Sequence, residues 1–456
     1  MEPRTLLGRS LPFVLVSLMG TTPALAAQVT DVADAVEVDD PFDAHVGVTF
    51  EFMRHSALIT RENTQVSVKD TTGTARNLDV RELDYERYRT RVRPRLEVGL
   101  FHDVAVFLDW PIVLWDQQST RFTSGTNNTN STITRDMLSS PTVEGWNQTC
   151  GNGLNGVDAN ECYGTPAGGY TDWTRLDRDT GAYQSVRAGF DYPELGLRWS
   201  PVNNERDPSK PTITLQADYN LGFLPLPPAN PTPPERVPTG DAATASDPGA
   251  VARGLHEFHF QVAMSKRWQL LDPFFVVDYW LPFAASDAVG GLFPRHRGGF
   301  LLGMEIVPHE NLALSQRFAV QLSGLVQYHS EGRDYSEISD LLGELTYTDN
   351  FMRAGVNAGL YFQPMEFGYF QLTGSAHYDS PHLLTTEKIG TDNDAPGTAG
   401  AGVVNLDVRD ANGQPLGTAD IERNPYFNPA MDTPGRRFKV DESLRLQVMA
   451  RAVLTF

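Results

Sequence analysis

The chain has only two cysteines and no apolar run close to the roughly 20 residues that a transmembrane helix needs once its N-terminal segment is set aside. The best candidate, Phe274–Phe283, is short and interrupted by Asp278. With a mean hydropathy of −0.32, a helical membrane protein is excluded. Positive charge is also in deficit, with 37 Lys and Arg against 57 Asp and Glu. This balance argues against nucleic acid as a partner, because such binding needs clustered basic residues.

The first 26 residues have the pattern of an export signal. Arg4 and Arg9 precede the short apolar stretch Leu11–Gly20, and Ala24-Leu25-Ala26 is a small-x-small cleavage site followed by Ala27. We therefore predict a signal peptide over residues 1–26, a mature start near Ala27 or Gln28, and an acidic periplasmic leader up to residue 43. The alternative, a buried N-terminal helix, is disfavoured because nothing amphipathic follows.

Apolar residues recur with period two in segments of about ten residues, which is typical of transmembrane β-strands. In the first segment, for example, Val46, Val48 and Phe50 share one face. Residues 44–456 therefore predict an all-β fold, a single antiparallel up-and-down barrel of about 12 strands, although two more strands could lie in the longest loops. The twelve predicted strands are Ala44–His55, Tyr85–Leu100, Asp103–Asp116, Gln184–Ser200, Thr212–Gly222, Leu255–Arg267, Pro273–Phe283, Gly298–Val307, Leu314–His329, Phe351–Phe362, Tyr369–Tyr378 and Val440–Phe456.

Short and long connections alternate along the chain. The long ones follow odd-numbered strands, and the longest span residues 117–183, 223–254 and 379–439. Short periplasmic turns and long extracellular loops are the rule in outer-membrane barrels, whereas a soluble β-sandwich gives no reason for the alternation. An even strand count predicts that both termini are periplasmic.

The last predicted strand has the most specific pattern. From Leu444 to Phe456, every second residue is apolar, and the chain ends on that Phe. This resembles the C-terminal insertion signal of bacterial outer-membrane β-barrel proteins, over the final dozen residues only. The resemblance implies an outer-membrane location, with outer-membrane lipid and the barrel-assembly machinery as partners. No cofactor, metal or catalytic residue is predicted.

The second strand carries a ladder of five arginines, one at every second position. Period-two geometry puts them on one face, and the cost of charge in lipid turns that face to the lumen. Glu51, Glu97 and Asp109 are the inward acids on the first three strands, too few to neutralise the ladder. The arginines are Arg87, Arg89, Arg91, Arg93 and Arg95.

Two further arginines, Arg445 and Arg451, extend this basic wall across the closing seam. Asp218, Asp278 and Glu305 are predicted to face inward on the opposite wall. We expect a transverse field, an arrangement that resembles the constriction zones of general porins. The simpler alternative is that these luminal charges form packed ion pairs that fill a narrow barrel.

Two other groups of residues are of types that can form a disulfide, bind a metal or catalyse a reaction. Cys150 and Cys162 lie in one polar loop and predict a local disulfide, because no His or further Cys stands nearby to complete a metal site. His55, His329 and His377 fall near strand ends, with Asp379 and Ser380 close by, but the His-x-Ser-Asn-Gly pattern of the twelve-stranded outer-membrane phospholipase is absent. We interpret these histidines as rim residues.

The function predicted from the sequence is a porin-like channel or transporter for small polar solutes, with anionic solutes as one option. The second hypothesis is a non-conducting barrel that acts as a scaffold, adhesion or export-machinery component through its loops. The third is a lipid-modifying or proteolytic enzyme.

Overall fold

The computed structural model describes residues 27–33, 43–69, 75–127, 130–133, 174–177, 180–204, 206–207, 209–221, 251, 255–284, 292–343, 345–388, 404–406, 421–423, 426, 429–432 and 434–456. The predicted signal peptide, the disulfide between Cys150 and Cys162, and the loop over 223–250 lie outside these residues. No helix in the described ranges is long and apolar enough to cross a membrane.

The described chain is built almost entirely from strands, in the order in which the sequence predicts them. Two single-turn helices, α1 (Ser339–Leu342) and α2 (Pro429–Asp432), and a 3₁₀ turn at Leu312–Leu314 lie in connections. The strands are β1 (Ala44–Lys69), β2 (Ala75–Phe101), β3 (Val104–Asp109), β4 (Ile112–Phe122), β5 (Ala182–Phe190), β6 (Glu194–Val202), β7 (Thr212–Asn220), β8 (Leu255–Ser265), β9 (Leu271–Ala284), β10 (Arg297–Asn311), β11 (Gln316–His329), β12 (Gly332–Asp334), β13 (Thr346–Thr348), β14 (Phe351–Met365), β15 (Gly368–Asp379), β16 (His382–Leu383), β17 (Val404–Leu406), β18 (Ile421–Arg423) and β19 (Phe438–Thr455).

The wall closes when the last strand pairs with the first. β19 lies antiparallel to β1 from His45 opposite Thr455 to Arg61 opposite Phe438. The amide of Phe456 donates to the carbonyl of Ala44 at 3.0 Å, and the reverse bond is 3.1 Å. β3 and β4 together make one interrupted strand of the wall, and β5 and β6 make another. Counted in this way, the barrel has the 12 strands predicted. Closure removes the open sheet edge that lipid cannot satisfy.

Prolines explain why two wall strands are each divided in two. Pro111 separates β3 from β4, and Pro193 separates β5 from β6. A proline has no N–H to donate to the ladder, so pairing stops there. Backbone bonds still cross the breaks, since Trp110 N–H donates to the Pro94 carbonyl and Asp191 N–H to the Pro111 carbonyl, both at 3.0 Å.

The outer face of the wall is apolar, as the period-two pattern predicts. Val46, Val48 and Phe50 on β1 are 43–48% exposed, and β19 presents Leu446 and Val448 outward in the same way. Polar and charged side chains of the same strands, such as Glu51 at 4% exposure, point inward. A closed barrel with an apolar exterior and a charged interior is an outer-membrane β-barrel protein.

The start of the predicted periplasmic leader is not a free segment. Residues 27–33 lie inside the barrel at the end with the short connections, which we call the short-turn end; the opposite end is the long-loop end. Thr214 Oγ1 donates to the Thr30 carbonyl at 2.8 Å, and an Arg198 nitrogen donates to the Val29 carbonyl at 3.2 Å. The sequence prediction missed this docking because these contacts join residues far apart in the chain.

Because the outer face of β19 contacts lipid and its inner face contacts the lumen, a charge should destabilise the fold to different extents at neighbouring positions of this strand. We expect Val448→Lys, on the outer face, to lose about 2–4 kcal/mol of unfolding free energy in lipid vesicles, because it places a charge in hydrocarbon. Gln447→Lys, whose side chain faces the lumen, is the matched control and should lose much less. Urea titrations of the refolded protein measure both, and equal losses would contradict the assignment.

Candidate functional site

The arginine ladder lines one side of the lumen, and every rung has a carboxylate partner. The nitrogen-to-oxygen distances are 2.6 Å for Arg87–Asp116, 3.4 Å for Arg89–Asp191, 2.7 Å for Arg91–Glu51, 2.8 and 2.9 Å for Arg93 with Asp109 and Glu194, and 2.7 Å for Arg95–Glu97. The three acids that the sequence places in the lumen, Glu51, Glu97 and Asp109, pair with only three of the five arginines. Asp116, Asp191 and Glu194, which were not among the predicted luminal acids, supply the other partners.

Three of these partners come from the proline breaks. Asp109 ends β3, Asp191 follows β5 and Glu194 begins β6, so all three flank Pro111 or Pro193. Asp109 faces inward by the period-two pattern, and Asp191 and Glu194 lie on either side of Pro193. The carboxylates that balance Arg89 and Arg93 are thus next to the breaks.

Asp116 reaches Arg87 because of a bulge in β4. Thr90 lies opposite Trp115 and Arg91 opposite Val113, so Leu114 is the extra residue. Leu114 and Trp115 are both exposed on the outer face, at 51% and 48%, and Asp116 turns inward at 2%. A strict period of two places Asp116 on the lipid face. The bulge reverses which alternate positions face inward. In the sequence it is marked by two adjacent apolar residues followed by an acid.

The predicted acidic wall is also locally balanced in part. Asp218 Oδ1 lies 3.0 Å from His259 Nδ1, and Arg317 binds Glu305 at 3.0 Å. Asp278 Oδ1 has no hydrogen-bond partner among the described residues.

Neither of the arginines predicted on β19 forms an unopposed basic wall. Arg445 binds Asp379 at 2.9 Å and Glu337 at 3.2 Å, and the Arg451 guanidinium lies 5.7 Å from the ring centre of Tyr369. Most charges of the described lumen are thus held in ion pairs, with Arg451 and Asp278 among the exceptions in the described residues, and they do not form two walls of opposite charge.

A loop from the β11–β14 connection crosses the lumen at the long-loop end. This loop, residues 332–348, consists of the β12–β13 hairpin around α1, and we call it the plug loop. Gly343 ends α1 with a φ of 74°, a left-handed conformation that glycine adopts without strain, and its N–H donates to the Ser339 carbonyl at 2.8 Å. The tight turn directs the rest of the loop back toward β14.

Ionic contacts hold the plug loop against the far wall. Asp340 binds Arg187 of β5 at 2.6 Å and accepts from Ser185 at 2.7 Å. The Tyr335 hydroxyl accepts from Arg187 at 2.8 Å and from the amide of Gln118 on β4 at 3.0 Å. Arg187 and Asp340 are both 5% exposed at their side chains, so these bonds are shielded from water.

An apolar cluster surrounds the plug loop at the mouth. Side chains of α1 pack with residues from β1, β2, β19 and the neighbouring loops, and together they close this end of the described barrel. The buried members are Ala57, Ile59, Leu83, Tyr85, Ile133, Leu176, Ile338, Leu341, Leu342, Leu384, Met431, Phe438 and Val440.

Glu337 of the plug loop is held ionised by its surroundings. Burial raises the pKa of this carboxyl, but nearby positive groups outweigh burial and lower the pKa to about 2. The positive groups are Arg445 and Arg295, and the imidazoles of His55 and His382 also act on the carboxyl. The carboxylate therefore acts as a fixed anionic anchor for the loop at neutral pH.

The rim residues considered for catalysis form buried hydrogen bonds. His55 Nε2 lies 3.0 Å from Ser443 Oγ, which donates to Asp379 at 3.3 Å, but His55 and Ser443 are 1% and 0% exposed. His377 contacts Asn357 at 2.9 Å and His329 contacts Gln327 at 3.0 Å. The Ser–His contact has no access for a substrate, and the described residues contain no group that could hold a metal ion.

Solved structures similar to this chain are themselves barrel proteins of bacteria. They include a Pseudomonas aeruginosa FadL homologue (8% identity, 91% of this chain, 90% of that chain, TM-score 0.32) and the outer membrane protease OmpT from Escherichia coli (7%, 91% and 96%, 0.27). An anion-selective porin from Comamonas acidovorans is also similar (8%, 90% and 100%, 0.23). No protein-family model and no curated protein matches the chain.

Breaking the most buried rung of the ladder should be costly, and removing both partners should not be. Arg87→Met leaves the Asp116 carboxylate unpaired at 2% exposure, so we expect a loss of about 3–5 kcal/mol in unfolding free energy. Arg87→Met with Asp116→Leu should recover most of it. The exposed pair Arg54–Glu86 is the control, at about 0–1 kcal/mol. Additive losses in the double-mutant cycle would contradict a direct pairing.

Acid should weaken docking of the plug loop through Glu337. Its pKa of about 2 in the folded protein lies below the usual 4.5 of a glutamate, so its contribution to stability is complete above pH 4.5 and is lost as pH falls through about 2. Protease cleavage of the loop, followed between pH 5 and pH 2, should rise in the wild type. Glu337→Gln should be cleaved faster at pH 5 and respond less to acid, and parallel pH profiles would contradict this role.

Proposed function

We propose that this protein is a gated porin-like channel for small polar solutes, closed in the described conformation. The observation that carries the proposal is the plug loop, which crosses a charged lumen and is held by the Asp340–Arg187 ion pair to the far wall and the Glu337–Arg445 ion pair to β19. Such contacts can be exchanged for water or solute contacts when the loop moves. We further propose that the long loops are extracellular and that the short-turn end and both termini are periplasmic.

The pairing of the arginine ladder bears on which solutes pass. Because each guanidinium already has a carboxylate partner, the wall offers hydrogen-bond donors and acceptors side by side without a large excess of positive charge. This favours neutral or zwitterionic polar solutes over the anions that an unpaired ladder would select. Apolar solutes gain little from such a wall, since the arginines and carboxylates hold water well.

A second candidate function rests on the apolar cluster at the mouth. Its side chains are packed as in a soluble core, and opening the mouth by this route exposes them to water at a cost of about 25 cal/mol per Å². A non-conducting barrel that presents its loops to other molecules, as a scaffold, adhesion or export component, needs no such opening. The plug loop would then be a permanent part of the fold.

Single-channel recording on the refolded protein separates the two functions. We expect rare openings in the wild type and at least about tenfold more open time when Glu337→Gln and Asp340→Asn are combined, because each change removes a charge-assisted hydrogen bond. Glu442→Gln, on an exposed ion pair with Arg81, is the matched control and should leave gating unchanged. Replacement of residues 335–345 by a Gly–Ser linker should hold the channel open. A barrel that stays silent even then is non-conducting.

The same recordings test the paired ladder. In a salt gradient, the open channel should have a reversal potential near zero. Arg93→Gln leaves both Asp109 and Glu194 without their guanidinium partner, so we expect the potential to shift toward cation selectivity. Strong anion selectivity in the unmodified channel would contradict a neutralised wall.

A further inference from the structure

One buried carboxylate at the short-turn end has no partner. Asp272, the second residue of β9, is 0% exposed, and neither of its side-chain oxygens has a hydrogen-bond partner among the described residues. A buried, unpaired carboxylate costs several kcal/mol, so a cationic partner is expected. The position points to a bound positive group that the described residues do not supply.

The charged groups around Asp272 are short of positive charge. Its charged neighbours are Glu305, Glu310, Arg267 and Arg317. Arg267 binds Glu310 through two bonds of 2.9 Å, and Arg317 binds Glu305 at 3.0 Å. With Asp272 included, three carboxylates face two guanidinium groups. Asp31 of the docked segment also acts on Glu305. The acids therefore outnumber the cations, and an additional positive charge is favoured here.

The segment docked at this position begins at the predicted cleavage site. Ala27 is 0% exposed and packs with Phe274, Val276 and Ala263 on the inner faces of β9 and β8. Phe274 lies two residues after Asp272 on the same inward face, and Asp272 lies opposite Glu305 in the sheet register.

The same segment already contacts one of the acids. The backbone nitrogen of Gln28 donates to Glu305 Oε1 at 3.1 Å. The Ala27 carbonyl accepts from the Thr30 backbone and hydroxyl, both at 2.9 Å, which fixes the turn that follows it.

We propose that Asp272 and Glu305 form a binding site for the chain's own mature N-terminus. Hydrolysis by signal peptidase adds water across the peptide bond between residues 26 and 27, leaving a carboxylate on the departing peptide and an ammonium on Ala27. That ammonium is the cation that the site lacks. Processing thus locks residues 27–33 inside the barrel and seals its short-turn end. Cleavage one residue later puts the ammonium on Gln28, whose nitrogen is already at Glu305.

Chemical labelling of the N-terminal amine tests the site directly. The protein is purified from outer membranes, its intact mass is measured, and an amine-reactive ester is applied near pH 7, where the α-amine is the most reactive amine. We expect labelling of the N-terminal peptide at least about tenfold slower in the folded protein than in urea. Asp272→Asn with Glu305→Gln should bring the rate close to the unfolded value. Asp207→Asn, in an exposed turn, is the matched control.

The sign of a stability change provides an independent readout. Asp272→Asn should lower the urea midpoint if the carboxylate binds the ammonium, and should raise it if the carboxylate is buried without a partner. A variant with Gly–Ser inserted before Ala27 displaces the ammonium without altering the barrel, and its amine should be labelled as in urea. A mature mass that starts beyond Thr30, rapid labelling in the wild type, or stabilisation by Asp272→Asn would each overturn the proposal.

Discussion

Hydrocarbon cannot hydrogen-bond to a peptide group, and the whole architecture follows from that constraint. The last strand must meet the first, so β19 pairs with both β15 and β1 and no sheet edge faces lipid. Closure fixes an inside and an outside for every strand. Apolar side chains then occupy the outer positions, and the charged side chains of the spanning strands face the same lumen.

Charges confined in this way must balance one another locally. The five arginines of β2 are neutralised by acids from β1, β3, β4 and β6, from β2 itself and from one proline break. The plug loop uses the same kind of contact to bind Arg187 and Arg445. Buried ion pairs contribute little net stability, but they specify which groups meet, because any other arrangement leaves a charge unpaired. The network therefore determines register and loop position more than it strengthens the fold.

The strand count, the faces and the alternation of short and long connections were predictable from the sequence because they depend on period-two patterns within single segments. Three partners of the ladder, Asp116, Asp191 and Glu194, were not. Asp116 turns inward only because of a bulge at Leu114. Glu194 does so because the alternation changes phase between Phe190 and Leu195, which both face outward on either side of Pro193. Each event shifts the phase that the pattern relies on. The plug loop and residues 27–33 escaped prediction because their contacts link distant parts of the chain.

The docked segment at residues 27–33 has a consequence for the order of folding. The closing seam joins β1 to β19 across almost the entire chain, so its loop-closure entropy is the largest in the molecule and it is expected to form last. Residues 27–33 come before β1, which begins at Ala44, and lie within the ring that this seam completes. If the barrel closes before residues 27–33 bind inside it, these residues must enter through the short-turn end. If it closes around them, they are trapped kinetically.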